Sequence, residues 1–221
     1  MMTKLLMTGL LVAAGMTGAV HAATAKPATA EKTAPYAGPT RDYKSIAAGT
    51  YELDKTHAGV TWRIDHLGFS NFIGRFEDLE GTATVNPADL SKSGVVFSIK
   101  TDSVDTNVDK LDDHIEKADI LDTDKYPTIT FTSTKVDVTG KNAAGKDTGK
   151  IYGMLSLKGV TKPVVMDVVF NGHGVSPFGG SERIGFDGSF TIKRSDFGVN
   201  ALLPMVGDNV EVTFAVEFTK K

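Results

Sequence analysis

The chain has 221 residues, with 24 Lys and Arg against 27 Asp and Glu, a formal net charge of −3 and no cysteine. A mildly acidic balance without a basic block excludes the electrostatic footprint of a nucleic-acid binder. The missing cysteines exclude disulfides, thiol nucleophiles and thiolate metal sites.

Met1-Met2-Thr3-Lys4 is a short positive start, Leu5 to Val20 an apolar run, and Val20-His21-Ala22 sets small residues on either side of His21. This arrangement predicts a cleaved secretory signal over residues 1–22 and delivery to the periplasm, where an exported protein without disulfides is at home. The run is too short and too rich in Gly and Thr for a stable span, so no stable membrane insertion is expected. Residues 23–48 are rich in Ala, Lys, Pro and Thr and predict a mobile linker. The ordered domain is expected over residues 49–221, long enough for one core.

Within that domain the apolar residues recur two apart, the mark of strands with one buried face. Eight strands are predicted. The first opens at Thr50 to Leu53 and resumes at Gly59 to His66; the second runs from Gly74 to Val85 and the third from Val95 to Thr101. The fourth, Thr128 to Val138, changes phase at Val136 and Val138, which predicts a bulge. Lys150 to Leu157 and Val164 to Phe170 form the next pair, with Lys158 to Pro163 as the turn. Ile184 to Lys193 is the seventh strand. The eighth carries Val210, Val212, Phe214, Val216 and Phe218 on one face. Val108, Leu111 and Ile115 predict one short helix between strands three and four, capped by Thr106 or Asn107 and ending near Ala118. An all-β chain of this kind closes into a barrel or packs as a sandwich.

No catalytic constellation stands out. Asp102, Asp105, Asp109, Asp112, Asp113, Asp119, Asp122 and Asp124 lack the glycine and closing Glu of a calcium loop, and no metalloprotease, phosphate-loop or dinucleotide motif occurs. The chain is expected to be neither an enzyme nor a metal protein. Two polar groups invite a binding role instead. Trp62 and His66 share a strand with Arg63 and Asp65; either His66 or Arg63 meets a ligand's head group, or the segment is a solvated strand face whose histidines hydrogen bond locally. Arg194 follows the parity of Phe186, Phe190 and Ile192, with Asp196 as its candidate partner, so it sits either beside a ligand or in a structural ion pair. The chain's 12 Phe could fill a barrel or surround a guest, and periodicity does not separate the two.

Four blocks then resemble the YceI-like family. They are His57 to Gly81 with Gly74-Arg75-Phe76; Ser98 to Phe131 with Asp113-His114 and Tyr126-Pro127; Gly153 to Phe170 with Leu157-Lys158-Gly159; and Phe186 to Val212 with Arg194-Ser195-Asp196-Phe197-Gly198. The resemblance implies an eight-stranded antiparallel lipocalin-like barrel around an apolar tunnel. It implies a bound polyisoprenoid or similar long-chain lipid, such as an isoprenoid quinone or prenyl phosphate, and no catalytic cofactor. On that reading Trp62, Phe76, Phe131, Phe170, Phe190 and Phe214 line or border the tunnel, Met154, Met166 and Met205 supply adaptable lining, and His66 and Arg194 border the ligand. A filled barrel acting as an interaction or stress-response module is the alternative, followed by an enzyme acting on a lipophilic substrate. Whether the domain forms a homodimer is left open by the sequence.

Overall fold

The computed structural model describes residues 38–221. The expected signal, 1–22, and residues 23–37 of the expected linker lie outside the described residues. Ten strands follow one another: β1 (Gly49–His66), β2 (Ser70–Phe76), β3 (Leu79–Val85), β4 (Gly94–Lys100), β5 (Val104–Asp105), β6 (Thr128–Lys141), β7 (Asp147–Leu157), β8 (Val160–Val175), β9 (Glu182–Lys193) and β10 (Val206–Lys220). The helix α1 (Asp109–Ile115) lies between β5 and β6.

Eight strands close an antiparallel barrel in the order β1, β3, β4, β6, β7, β8, β9, β10, and β10 pairs back to β1. The remaining two, β2 and β5, are added beside the far half of β1. The single strand expected from Gly74 to Val85 is therefore two. β3 pairs with Gly49 to Glu52 of β1 and β2 with Val60 to His66 of the same strand. The break at Glu77 and Asp78 faces the irregularity of β1 between Leu53 and Ala58, where the register against β10 also shifts. A bulge on one strand bends it, and its neighbour has to bend or break with it.

The bulge expected in β6 is present, as register shifts against β7 between Ser133 and Lys135 and between Val138 and Gly140. The turn expected over Lys158 to Pro163 is shorter. Lys158 and Gly159 alone make it, both at positive φ, which is the geometry of a two-residue hairpin. Pro163 instead lies inside β8 opposite Met154. Pairing of β8 with β9 begins only at Asp167, so the proline sits on a free edge and interrupts no ladder.

The expected caps of α1 are also replaced. Val108 occupies the cap position, and Asp112 reaches back to accept from Thr106 N (2.9 Å) and Thr106 Oγ1 (2.6 Å). Asn107 turns the chain at φ 59°. The helix stops at Ile115, and Ile115, Ile120 and Leu121 pack onto Phe131, Leu155, Leu157 and Phe197. Those contacts close one end of the barrel, here termed the helix end.

The other end is framed by the β3–β4, β6–β7 and β8–β9 connections and by residues 38–48. These last residues, expected as the tail of a mobile linker, fold over the barrel: Tyr43–Ser45 forms one 3-10 turn and Ile46 is buried in the core. Tyr43 and Ile46 supply the driving force that the composition of the stretch as a whole does not suggest.

Candidate functional site

The inward face of the barrel lines a partly open cavity of about 210 Å³. Val212, Phe214, Val216 and Phe218 of β10 face it in succession. Their partners across β9 are Phe190, Gly188, Phe186 and Ile184, and directly opposed residues project to the same side. Met166, Val168 and Phe170 of β8 continue the wall, and Phe131 of β6 and Leu155 of β7 close it. Large rings fit beside an open lumen because glycines face them. A Cβ on Gly153 would lie 2.4 Å from the Phe131 ring, and one on Gly81 would lie 2.8 Å from Phe97. At each of these positions the edge of a ring takes the place where a side chain would otherwise stand.

Tyr43, Asp137 and Asp147 are the ionisable side chains of the lining, at the end away from α1. Asp147 is already held by Lys141 at 2.7 Å and Asp137 by Lys135. Among the described residues no Lys, Arg or His lines the cavity, and those that do assemble no nucleophile, base and oxyanion donor. On the outer surface Asp54, His57 and Glu217 approach one another closely enough to hold a cation. The Arg183 guanidinium already fills that role, pairing with Asp54 at 2.5 Å and Glu217 at 2.9 Å.

An apolar lumen in an eight-stranded barrel, closed by a short helix, has counterparts among known proteins. Residues 51–218 match the YceI-like domain. The chain belongs to the YceI-like family. A UPF0312 protein of Pseudomonas fluorescens is 41% identical over 177 residues, covering 79% of this chain and 89% of that protein. The crystal structure of the Campylobacter jejuni YCEI protein superposes with a TM-score of 0.61 at 31% identity, covering 71% of this chain and 90% of that one. A polyisoprenoid binding domain from Saccharophagus degradans superposes with a TM-score of 0.59 over 77% of this chain and 98% of its own; at 17% identity the likeness is one of fold.

In this YceI-like barrel, five of the residues singled out from sequence come together on the cavity wall: Phe131, Met166, Phe170, Phe190 and Phe214. Phe76 packs against both core clusters from the edge. Trp62 is half-buried, with its ring over Gly74 and 6.2 Å from the Phe72 ring, on the β2 flank. Met154 is 38% exposed and Met205 55%. His66 is exposed at the end of β1, with its backbone opposite Ser70 and Val206.

Arg194 is buried, yet its partners are carbonyl oxygens and not Asp196. Nε donates to Gly207 O (2.7 Å), Nη1 to Val199 O (3.1 Å) and Ala201 O (2.8 Å), and Nη2 to Val206 O (2.9 Å). Strand parity fails to place it because β9 ends at Lys193 and Arg194 begins a 3-10 turn. Burial pushes the guanidinium pKa down, and the nearby Asp208 carboxylate opposes that. Ser195 donates to Asp208 from both N (2.9 Å) and Oγ (2.8 Å), and these bonds hold the carboxyl below its ordinary range.

Three residues outside the sequence expectations shape the end away from α1. Tyr43 and Ile46 line the cavity from the 38–48 segment, and buried His173 holds that segment to β8. The usable signal was Tyr43 and Ile46 themselves, an apolar pair three residues apart just ahead of the first strand.

Proposed function

We propose that the protein is a periplasmic binding or carrier protein that takes a polyisoprenoid or a similar long-chain lipid into the barrel cavity without transforming it. The observation that carries this reading is the lining: a wall mainly of Phe, Val, Ile, Leu and Met with, among the described residues, no cationic side chain. Each methylene moved from water to such a wall contributes roughly 0.8 kcal/mol, so one five-carbon isoprene unit contributes roughly 4 kcal/mol. The Saccharophagus degradans domain of the same fold, described as polyisoprenoid binding, supports the same class of ligand.

The lining also bears on the head group. A phosphate buried here would meet Asp137 and Asp147 and no Lys or Arg. An isoprenoid with an uncharged head, such as a quinone, fits this environment better than a prenyl phosphate, whose charge would have to stay outside. The site residues on this reading are Phe131, Met166, Phe170, Phe190 and Phe214, with Trp62, Phe76, Met154, His66 and Arg194 outside the contact surface of the tail. Native mass spectrometry of protein purified from its own periplasm is the test. An adduct with the mass of an isoprenoid is expected; an empty protein that also takes up neither an isoprenoid quinone nor a prenyl phosphate in vitro would sink the reading.

A separate observation favours a second role. Leu67, Phe69, Leu202 and Met205 are all at least 47% exposed at the helix end, and Leu67 N donates to Met205 O across the two loops. An apolar cluster of this kind suits docking on a partner. Loss of a co-purifying partner on Phe69→Ser, with lipid content unchanged, is the expected result for that role.

A further inference from the structure

The cavity has room for only part of a long ligand. A dry engineered cavity of about 150 Å³ admits benzene, so 210 Å³ seats little more than one isoprene unit without movement. The cavity opens at the end opposite α1, beside Val138, and the chain itself narrows that opening with Tyr43 and Ile46.

Residues 39–48 cross it as a strap. Pairing of β7 with β8 ends at Val169, which leaves the outer edge of β8 free beyond it. Thr40 docks on that edge: Thr40 N donates to His173 O and His173 N to Thr40 O, both at 2.8 Å. From there the strap passes the ends of β9 and β10 and enters β1 at Gly49. Tyr43 and Ile46 point into the cavity from it.

Beside the burial of Ile46, the strap's polar ties to the barrel are few and converge on one residue. Besides the two backbone bonds, His173 Nε2 lies 2.8 Å from Ser45 Oγ. The ring is fixed from behind by Glu182, whose Oε1 is 2.8 Å from Nδ1; a carboxylate only accepts, so Nδ1 carries the proton of that bond. Among the described residues the one further hydrogen bond to the barrel is Tyr51 OH donating to Ala47 O at 2.7 Å. The other polar contacts of the strap, such as Ser45 N to Asp42 O, are internal to it and survive if it lifts as a unit. Gly49, at φ +150°, adopts a backbone that other residues rarely do, at the point where the strap would swing. On the β8 side the approach is close: a Cβ on Gly172 would stand 2.7 Å from Pro39.

We propose that residues 39–48 are a gate, latched by His173, whose opening withdraws Tyr43 and Ile46 from the mouth and admits the ligand. The gate rests on the reading of the cavity as a lipid site and adds how that site is reached. Loading and release are then limited by strap opening, while the lumen beyond it stays a rigid wall.

The natural absence of cysteine allows a direct test on the full chain. Thr40 and His173 exchange both backbone bonds, and such pairs have Cα atoms about 5.5 Å apart, within disulfide range. The double variant Thr40→Cys with His173→Cys removes the latch when reduced and fastens the strap when oxidised. Stopped-flow uptake of the neutral probe N-phenyl-1-naphthylamine is measured in both states, with the disulfide confirmed by mass. Uptake at least about tenfold slower in the oxidised form is expected. Ser45→Ala, an exposed position, removes the contact to His173 Nε2 together with the strap-internal bond from Ser45 Oγ to Asp42 O, and is expected to speed uptake by roughly 3- to 10-fold, the worth of one net hydrogen bond to the barrel. Equal rates in the oxidised and reduced forms overturn the gate and leave the cavity reading intact. If the double variant does not fold, an unchanged rate in Ser45→Ala overturns the gate alone. Failure of every folded form to bind the probe overturns both.

Discussion

Gly188 lies directly across the β9–β10 ladder from Phe214, and its missing side chain is where the Phe214 ring rests: a Cβ there would come within 2.2 Å of Phe214 Cζ. Gly81 with Phe97 and Gly74 with Trp62 repeat the device in direct cross-strand pairs. Each glycine weakens its strand slightly and lets a ring lie along the wall. The lumen is open because the sheet is locally thin.

Gly188→Ala is therefore expected to push the Phe214 ring into the cavity. Overpacking of this kind destabilises by about 1–3 kcal/mol. The variant should lose stability in denaturant unfolding and bind an apolar probe more weakly per folded molecule. Adding Phe214→Leu should recover part of both losses, because the two changes share one volume. Additive effects in the double-mutant cycle would show that the ring moves elsewhere.

Val138 lines the mouth of the cavity and is 40% exposed, so a longer side chain has room there. Val138→Lys supplies the cation that the lining lacks. Affinity for a prenyl phosphate is expected to rise relative to an isoprenoid quinone by about 0.5–1 kcal/mol, the range of an exposed ion pair. The gain should fade as ionic strength is raised. Paired titrations at low and high salt measure it, and a gain equal for both ligands would contradict the electrostatic account.

Arg194 makes four hydrogen bonds to carbonyls of the 199–207 segment. Arg194→Met keeps much of the buried length and leaves those oxygens without their donor. A loss of about 3–5 kcal/mol is expected, as for other buried charged groups whose partner is removed. Under conditions where the variant is still folded, its affinity for an apolar probe should be close to that of the unaltered protein. A selective loss of binding without loss of stability would place Arg194 at the ligand.

The contrast between Phe190 and Arg194 shows what was legible in the sequence. Period two marks each barrel strand, although it runs β3 together with β2. Of the rings it selects, Phe131, Phe170, Phe190 and Phe214 reach one wall while Trp62 and Phe76 lie beside it. Met166, which also lines the wall, is selected by residue type. The parity stops at Lys193, where β9 ends, so Arg194 could not be placed by counting. Met154 was chosen by residue type, and its neighbours Gly153 and Leu155 take the buried side of β7. The division of β2 from β3 depends on a bulge in another strand, and the place where the strap docks depends on the bridge from Thr40 to distant His173, neither of which leaves a local pattern.

Tyr51 ties the strap's energetics to pH. Its side chain is fully buried, and burial first, then the charge and hydrogen bonding of Glu182, push its pKa from 10.0 up to about 12. The folded state therefore holds the phenolic proton more tightly than the unfolded chain does. Sign follows from linkage: the stabilisation is fully present below pH 10 and is lost as pH rises from about 10 through 12. A two-unit difference corresponds to about 2–3 kcal/mol at the alkaline limit. Denaturant unfolding between pH 8 and 12 should show that decline. In Tyr51→Phe the Tyr51 part of the slope disappears, at the expense of about 1 kcal/mol at neutral pH for the lost bond to Ala47 O. Because that bond also holds the strap, the same variant should take up an apolar probe faster at neutral pH. An alkaline slope unchanged by Tyr51→Phe would assign the decline to other groups.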